Sequence, residues 1–362
     1  MRTLTKREIL DLIDGCVILG TGGGGDPRLG MELMEKVWAI GLPISLCSFD
    51  ELDAADLIAC PYSCGAISPE TEESKRMYGH LPLSPELPHL LALREMEAYL
   101  GREVKALVSA ELAGYNTAVP LYCAALSGKP LVDGDPAGRS VPGLQQQLFY
   151  VAGVDIAPIA LCNNFGETAL LTRVVDDYRA EELVRALAVV SNNSIAVVDH
   201  VHAAREIGRA VIKGAISHTI EVGRRHREAI AAGENAAVAV AEFCGGRVLF
   251  SGCVTAHEWD TVKGYTEGTL TVNAGHEYRI WYRNENIIAW KDGEYIASVP
   301  DLLCVFNNAD GMPVLNPHHK AGMDVTVIGI PSDEKWRGSR GVEVFGPRSF
   351  GLDTDWIPVE KL

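Results

Sequence analysis

Residues 20–27 read GTGGGGDP, a stretch that combines five glycines with an acid and a proline. Ordering a glycine costs roughly 0.5–1 kcal/mol more than ordering an alanine, so such a run indicates that a bare backbone is needed there. Asp26 is a good helix N-cap and Pro27 suits the first helical position, which places the glycines just ahead of a helix N-terminus. We call residues 20–26 the glycine loop.

Unpaired amides and the positive end of the helix dipole make the glycine loop suitable for holding a negative or carbonyl-like ligand group. On this basis we expect five residues to bind a substrate: Gly22, Gly23, Gly24, Gly25 and Asp26. The alternative is a tight, closely packed turn that holds no ligand.

Polar residues also follow two apolar runs farther along the chain. Glu111 and Asn116 lie in ELAGYNTAVP, directly after VKALVSA, and Asp133, Asp135 and Arg139 lie in VDGDPAGRSVPG, directly after KPL. Parallel α/β sheets bind ligands outside the carboxyl ends of their strands. Counting CVIL ahead of the glycine loop, three predicted strand ends bring glycines, acids and an asparagine towards one site.

These residues could have several structural or catalytic roles. Glu111 could cap the helix that follows it. The two aspartates and Arg139 could hold a metal, act as a base and an anion clamp, or pair with one another. A divalent metal held by Asp133, Asp135 and Glu111 stays open, because the sequence shows no complete set of ligands.

The elements that must position these residues can be predicted from the apolar pattern. Short apolar runs (PISLCSF, DLIACPY, VKALVSA, KPLVD and APIALC) alternate with helical patterns over the first 165 residues or so. This alternation predicts an N-terminal three-layer α/β domain with a mostly parallel sheet, over residues 1–167. Helical patterns then dominate from about residue 168 to 243. Short alternating strands follow from Gly245, so residues 168–362 are predicted to be a helical segment followed by a β-sandwich-like domain.

Composition limits the partners of the chain. Its 362 residues include 47% hydrophobic and 22% charged residues, which is typical of a soluble globular protein. The formal net charge of −16 argues against nucleic acid and anionic membranes as partners. No apolar run reaches the roughly 18 residues of a membrane span, and the nine cysteines indicate reduced, buried thiols. We expect a cytoplasmic protein.

The glycine loop also matches a nucleotide-binding motif, while two other catalytic motifs are absent from the sequence. Gly20, Gly22 and Gly25 match the dinucleotide fingerprint GxGxxG, so a nucleotide-binding enzyme that uses the glycine loop is one alternative function. The sequence has neither a GxSxG nucleophile elbow nor a Walker A lysine, which removes serine hydrolases of that type and P-loop kinases.

Several motifs together resemble a known family. They are ILGTGGGGDP, the ExxGxN of residues 111–116, DGDPAGR, NEN at 284–286, VPDL at 299–302 and GPRSFG at 346–351. In this order, over residues 5–355, they resemble the S-methyl thiohydantoin desulfurase family, which is associated with hydantoinase- and oxoprolinase-type proteins. The resemblance implies an N-terminal α/β domain and a C-terminal part with a β domain, in agreement with the apolar pattern.

The family name implies a hydrolase that removes methanethiol from an S-methylated thiohydantoin ring. For that reaction Glu111 or Asp133 would be the general base, and Asn116 with the amides of the glycine loop would hold the polar edge of the ring. Arg139 would clamp a substrate carboxylate, and Asp135 is a further expected substrate-binding residue. A cysteine nucleophile, Cys64 or Cys16, is a weaker alternative.

The expected partner is a small-molecule substrate, and we also expect a homo-oligomer. A second alternative function is that of a non-catalytic partner in a hydantoinase or oxoprolinase complex.

Overall fold

The computed structural model describes residues 1–65 and 72–362 as a chain of mixed α and β elements. The helices are α1 (Lys6–Leu19), α2 (Pro27–Ile40), α3 (Glu72–Tyr78), α4 (Pro88–Leu100), α5 (Ala118–Ser127), α6 (Leu148–Val151), α7 (Asp177–Val189), α8 (Ala204–Ile207), α9 (Ala215–Ala232), α10 (Ala236–Phe243) and α11 (Ser339–Phe345). The earlier strands are β1 (Arg2–Thr3), β2 (Ser45–Cys47), β3 (Leu57–Gly65), β4 (Val104–Leu107), β5 (Leu131–Val132), β6 (Gly134–Asp135), β7 (Ile159–Cys162), β8 (Thr168–Leu171), β9 (Ser194–Ala203) and β10 (Ile212–Lys213). The later strands are β11 (Arg247–Val262), β12 (Tyr265–Asn273), β13 (Glu277–Arg283), β14 (Glu285–Lys291), β15 (Glu294–Ser298), β16 (Leu302–Asn307) and β17 (Asp324–Ile330).

An eight-stranded mixed sheet forms the centre of the N-terminal part, in the order β1-β2-β5-β4-β3-β9-β7-β8. The run β2-β5-β4-β3 is parallel, whereas β1, β9, β7 and β8 pair antiparallel with their neighbours. The predicted α/β class is confirmed, and the parallel pairing holds for four of the eight strands. The strand β9, which comes from beyond residue 167, enters the sheet between β3 and β7 in the opposite direction and therefore pairs antiparallel with both, whereas β1 and β8 add antiparallel strands at the two edges.

Helices cover both faces of this sheet and make a three-layer arrangement. Alternate residues of β3 point to opposite faces, so that Leu57 and Ala59 join one core whereas Ile58 and Cys60 join the other. The first core also contains side chains of α1, α2, α4, α5 and α9, and the second contains side chains of α6, α7 and α8. The strand ends are therefore held between two packed helical layers.

Helices α1 and α9 cross at close range through two glycines. A Cβ atom added at Gly15 would overlap the backbone carbonyl of Thr219, and one added at Gly223 would overlap that of Asp11. The absence of side chains at both glycines therefore allows the two backbones to touch. Arg227 of α9 also pairs with Asp11, at 2.8 Å between Nε and Oδ1. These contacts fix α1, whose C-terminal end leads into the glycine loop.

Two stretches differ from the sequence-based expectation. The stretch 168–243 contains helices α7 to α10, but it also contains β8 and β9, and both belong to the N-terminal sheet. The run IAVV in β9 is rich in β-branched residues, which favour strands. The piece CVIL is the last turn of α1 and not the end of a strand.

The C-terminal part contains one antiparallel sheet of seven strands, in the order β15-β14-β13-β12-β11-β17-β16. The strand β16 at one edge contacts β14 and β15 at the other, so the sheet curls into a half-barrel around its own apolar core. The β-sandwich-like domain that we predicted is thus a single curled sheet. Within the described residues, no helix is long and apolar enough to cross a membrane.

Candidate active site

A cleft of about 410 Å³ lies at the carboxyl ends of β3 and β4. Its walls include Gly24 and Gly25 of the glycine loop, and Glu111 and Asn116 from the segment after β4. Glu285, the first residue of β14, completes the wall from the C-terminal part. The structure thus brings the glycine loop together with Glu111 and Asn116, as the strand-end argument predicted, and adds a second carboxyl group.

The glycine loop is a closely packed turn that also forms one wall of the cleft. A Cβ atom at Gly23 would overlap the carboxyl group of Glu285, and one at Gly24 would overlap the Cβ atom of Ala113. Packing therefore accounts for these glycines without a ligand. The amides of Gly24 and Gly25 nevertheless have no acceptor among the described residues, so a bound molecule can still accept from them.

Gly22 and Asp26, the first and last of the loop residues that we predicted to bind substrate, both make contacts within the protein. The Gly22 carbonyl accepts a hydrogen bond from the Asn316 amide at 2.9 Å, which ties the loop to the C-terminal part. Asp26 is the N-cap of α2 with Pro27 at the start of the helix, as predicted. Asp26 also pairs with Arg28 (2.6 Å), and the hydrogen bond from Arg28 lowers the pKa of the Asp26 carboxyl group.

Glu111 is held in one orientation by three neighbours. Its Oε1 accepts from Asn116 Nδ2 at 2.8 Å, and its Oε2 accepts from Ser140 Oγ at 2.8 Å and from the Val141 amide at 2.9 Å. Asn116 is fixed in turn by two hydrogen bonds with the backbone of Ser63 in β3. Burial raises the pKa of Glu111, and the three hydrogen bonds oppose this shift. Asn116 therefore orients Glu111, and both of its amide hydrogens are already used.

Glu285 is the acidic residue that the motif analysis did not single out, although NEN contains it. Ser140 Oγ lies 2.7 Å from Glu285 Oε1, so the same hydroxyl group contacts both Glu111 and Glu285. Glu285 is only 2% exposed, and its Oε2 has no hydrogen-bond partner among the described residues. Burial, followed by the negative charge of Glu111, raises the pKa of Glu285 to about 8.

The two aspartates predicted after β5 do not line the cleft. Asp133 accepts from the amide (3.0 Å) and the hydroxyl (2.6 Å) of Ser217 in the first turn of α9. Asp135 is fully buried and accepts from the amides of Ala137 and Gly138, while burial raises its pKa to about 7. Asp133 therefore secures a helix N-terminus, and Asp135 secures the turn that leads to Arg139.

Arg139 is fully buried and joins the two parts of the chain. Its five N–H groups donate to the carbonyl groups of Ser140, Pro300, Asp301 and Asn286 and to the hydroxyl group of Thr21. No N–H group is left for a substrate carboxylate. Burial lowers the pKa of Arg139 to about 10, so the side chain still carries its charge at neutral pH.

A different arginine, Arg185 of α7, lines the cleft. It forms an ion pair with Glu181 (2.5 Å), and Tyr265 donates to the same carboxylate at 3.0 Å. Arg185 Nη1 also donates to the carbonyl group of Gly264 at 3.4 Å. The tip of the β11–β12 hairpin is thereby attached to α7 beside the cleft, and two N–H groups of Arg185 have no acceptor within residues 1–65 and 72–362.

The two cysteines considered as nucleophiles are buried thiols. Cys64 lines the cleft, and Cys16 donates to Thr117 Oγ1 at 3.3 Å. Burial raises the pKa of each thiol to about 12. Since the thiolate is the nucleophilic form, neither side chain is prepared to attack a substrate at neutral pH.

The described residues give little support to a bound metal or dinucleotide. In residues 1–65 and 72–362 no three His, Cys, Asp or Glu side chains come together to hold a metal ion. The glycine loop follows helix α1 and not a strand, so it lacks the strand–loop–helix context of the dinucleotide fingerprint.

A mixed α/β half, a half-barrel and a buried carboxyl pair in the cleft define a two-part protein of the mixed α/β class. The chain belongs to the S-Me-THD-like family. The N-terminal domain of that family matches residues 7–173, and its C-terminal domain matches residues 175–359. The resemblance noted in the motifs is thereby confirmed.

The fold is also similar to a solved structure. A crystal structure of a protein from Chromobacterium violaceum, a structural genomics target, superposes with a TM-score of 0.78 at 19% sequence identity. The match covers 99% of this chain and 100% of that chain, and at this identity it supports the fold alone. No curated protein sequence matches the chain.

Proposed function

We propose that the protein is a hydrolase that acts on a small cyclic amidine-like ring, most specifically an S-methylated thiohydantoin, and releases a thiol. The observation that carries this proposal is the fixed carboxyl group of Glu111 in a cleft that is also lined by a second carboxyl group and by two glycines whose amides have no acceptor in the described part of the chain. Membership in the S-Me-THD-like family supports the choice of ring.

In the proposed reaction Glu111 is the general base. It takes a proton from water while the water oxygen bonds to the ring carbon that carries sulfur, and the C=N electron pair moves to the ring nitrogen. The amides of Gly24 and Gly25 donate to the polar edge of the ring. The C–S bond then breaks, the carbon becomes a carbonyl, and the two protons of the water end on the ring nitrogen and the released thiol.

Arg185 takes the role that the sequence analysis gave to Arg139. All N–H groups of Arg139 are occupied, whereas Arg185 lines the cleft and keeps two N–H groups free of partners among the described residues. A carboxylate on the ring substituent would therefore pair with Arg185. Glu181 limits this attraction because it already neutralises part of the positive charge.

Thiol release from S-methylated thiohydantoins by the purified chain tests the proposal. We expect Glu111→Gln to lower turnover by about 100-fold or more, which is the usual contribution of a general base. Asp133→Asn, which alters a helix N-terminus, should keep most of the turnover and lose some thermal stability. Full turnover in Glu111→Gln would reject Glu111 as the base.

Assaying the chain alone also separates catalysis from a role as a non-catalytic partner. Thiol release without added protein supports an enzyme, while its absence until a large hydantoinase-type subunit is added would contradict this proposal. Treatment with a chelator should leave the rate unchanged.

A further inference from the structure

One hydroxyl group lies between the two carboxyl groups of the cleft. Ser140 Oγ is 2.8 Å from Glu111 Oε2 and 2.7 Å from Glu285 Oε1, and all three residues are buried. A serine hydroxyl carries a single hydrogen and can donate to one acceptor at a time. If both carboxyl groups were ionised, one of these short contacts would join two oxygens with no hydrogen between them.

We propose that Glu285 and Glu111 share one proton through Ser140 at neutral pH, with Glu285 protonated and Glu111 ionised. Glu285 then donates to the Ser140 oxygen, and Ser140 donates to Glu111, so every short contact has a hydrogen. Given the proposed hydrolysis, this arrangement makes Glu285 the general acid.

The hydrogen bonds decide which carboxyl group holds the proton. Glu111 accepts from Asn116 and from the Val141 amide in addition to Ser140, and such donors stabilise a carboxylate. Glu285 has only Ser140, and its other oxygen has no partner among the described residues. A buried carboxylate with so few donors is unfavourable, so the proton belongs on Glu285.

The charged groups around Glu111 and Glu285 favour one negative charge on the two carboxyl groups together and not two. Arg139 is the cation whose charge acts on both carboxyl groups, and its own hydrogen bonds hold it in place. Asp135 adds a further buried acid whose charge opposes that of Glu111. Two like charges in a shared buried site force one group to stay protonated.

Sharing the proton gives Ser140 a function in turnover. When water adds to the ring, Glu111 gains a proton and Glu285 donates one to the ring nitrogen. Passing the proton from Glu111 through Ser140 to Glu285 restores the starting state. In the second step Glu111 takes the proton of the added hydroxyl, the carbonyl forms, the C–S bond breaks, and Glu285 protonates the leaving sulfur. A second transfer through Ser140 completes the cycle, and no co-reactant other than water is consumed.

The shared proton can be tested without any substrate. Infrared spectra of the whole protein, recorded from pH 5 to 10, should contain a protonated-carboxyl band at pH 7 that is missing from Glu285→Gln. Asp177→Asn is the matched control, since Asp177 is another acid whose pKa burial raises to about 7, beside His200 and away from the pair. The proposal would be overturned if the protonated-carboxyl band at pH 7 is lost in Asp177→Asn but is the same in the wild type and in Glu285→Gln.

The catalytic role of Glu285 is tested by the pH dependence of thiol release. Activity of the wild type should fall as the pH rises through about 8, because Glu285 then loses its proton. Glu285→Gln should lose about 100-fold in kcat and lack this alkaline limb. An unchanged kcat and pH profile in this variant would reject Glu285 as the acid.

Ser140→Ala provides a second variant that keeps both carboxyl groups. We expect at least a 10-fold loss in kcat with little change in KM. Ser109→Ala is the control, because Ser109 is a buried serine that donates to the backbone carbonyl of Glu111 and not to its carboxylate. Equal losses in the two serine variants would contradict proton transfer through Ser140. If the wild type releases no thiol from any ring, the proposed function fails, while the infrared result still decides the shared proton.

Discussion

At the scale of single residues, the chemistry that we propose for the cleft depends on a missing side chain. Gly23 is the point at which the glycine loop meets Glu285, and any Cβ atom there would occupy the position of the carboxyl group. The backbone of Gly23 does not have a positive φ angle, in contrast to Gly22, Gly24 and Gly25. The glycine is therefore required by the approach of Glu285 and not by the conformation of the chain.

This makes Gly23→Ala a specific test of the position of Glu285. We expect the added methyl group to displace the carboxyl group, to lower turnover by 10-fold or more, and to change the titration of Glu285. Gly338→Ala is the matched control, since Gly338 also has a negative φ and no described atom lies within 4 Å of its added Cβ. Similar turnover in the two variants would show that the carboxyl group can move without a cost.

At the scale of elements, the attachment of the β11–β12 hairpin to α7 determines what the cleft presents to a ligand. Tyr265 and Gly264 of the hairpin tip contact Glu181 and Arg185, one turn apart on α7. The guanidinium group of Arg185 also lies 4.4 Å from the centre of the Tyr265 ring. A strand pair from the half-barrel thus orients the cation beside the N-terminal sheet.

We expect Arg185→Gln to raise KM for rings with a carboxylate substituent by about 10-fold and to leave KM for neutral rings nearly unchanged. The reason is that the variant removes a charged donor and not the acid–base pair. Arg179→Gln on the same helix is the control, because Arg179 forms an exposed ion pair with Glu182. An equal rise in KM for both kinds of ring would indicate a structural effect of Arg185.

Much of the element order was predictable from local sequence, but the pairing of distant residues was not. The apolar runs located β3, β4 and β5, and the capping signals located the start of α2. Glu111 was predicted to be a site residue because the end of a strand can be recognised from a few neighbouring residues. Glu285 was missed because it meets Ser140 across 145 positions of sequence, and the contact depends on how two sheets are placed. For the same reason Arg139 looked available for a ligand, although its partners lie up to 162 positions away.

At the scale of the whole molecule, buried ionisable groups give the stability a dependence on pH. Burial raises the pKa of Glu285 to about 8 and those of Asp135 and Asp177 to about 7. Their protonated forms stabilise the fold at low pH, and this contribution is lost as the pH rises through these values. Burial lowers the pKa of His89 to about 4 and of His319 to about 3, so their contribution is lost as the pH falls below about 6.5.

Above about pH 6.5 the two histidines are neutral in both states and only the carboxyl groups act, so the free energy of unfolding should fall from pH 6.5 to pH 8.5. Each carboxyl group that is protonated in the folded protein and ionised in the unfolded chain lowers the free energy of unfolding by about 1.4 kcal/mol per pH unit. Denaturant titrations at several pH values measure this directly, and Glu285→Gln should make the alkaline decline less steep. A free energy of unfolding that increases up to pH 8.5 would contradict the assignment of these groups.

The hydroxyl bridge of Ser140 spans the boundary at residue 174 between the two matched domains, because it links an acid from each. If the proposed mechanism holds, neither domain produced as a separate polypeptide contains both reacting carboxyl groups. A gene split at that position would yield two inert fragments, and any thiol release on mixing them would report their reassembly.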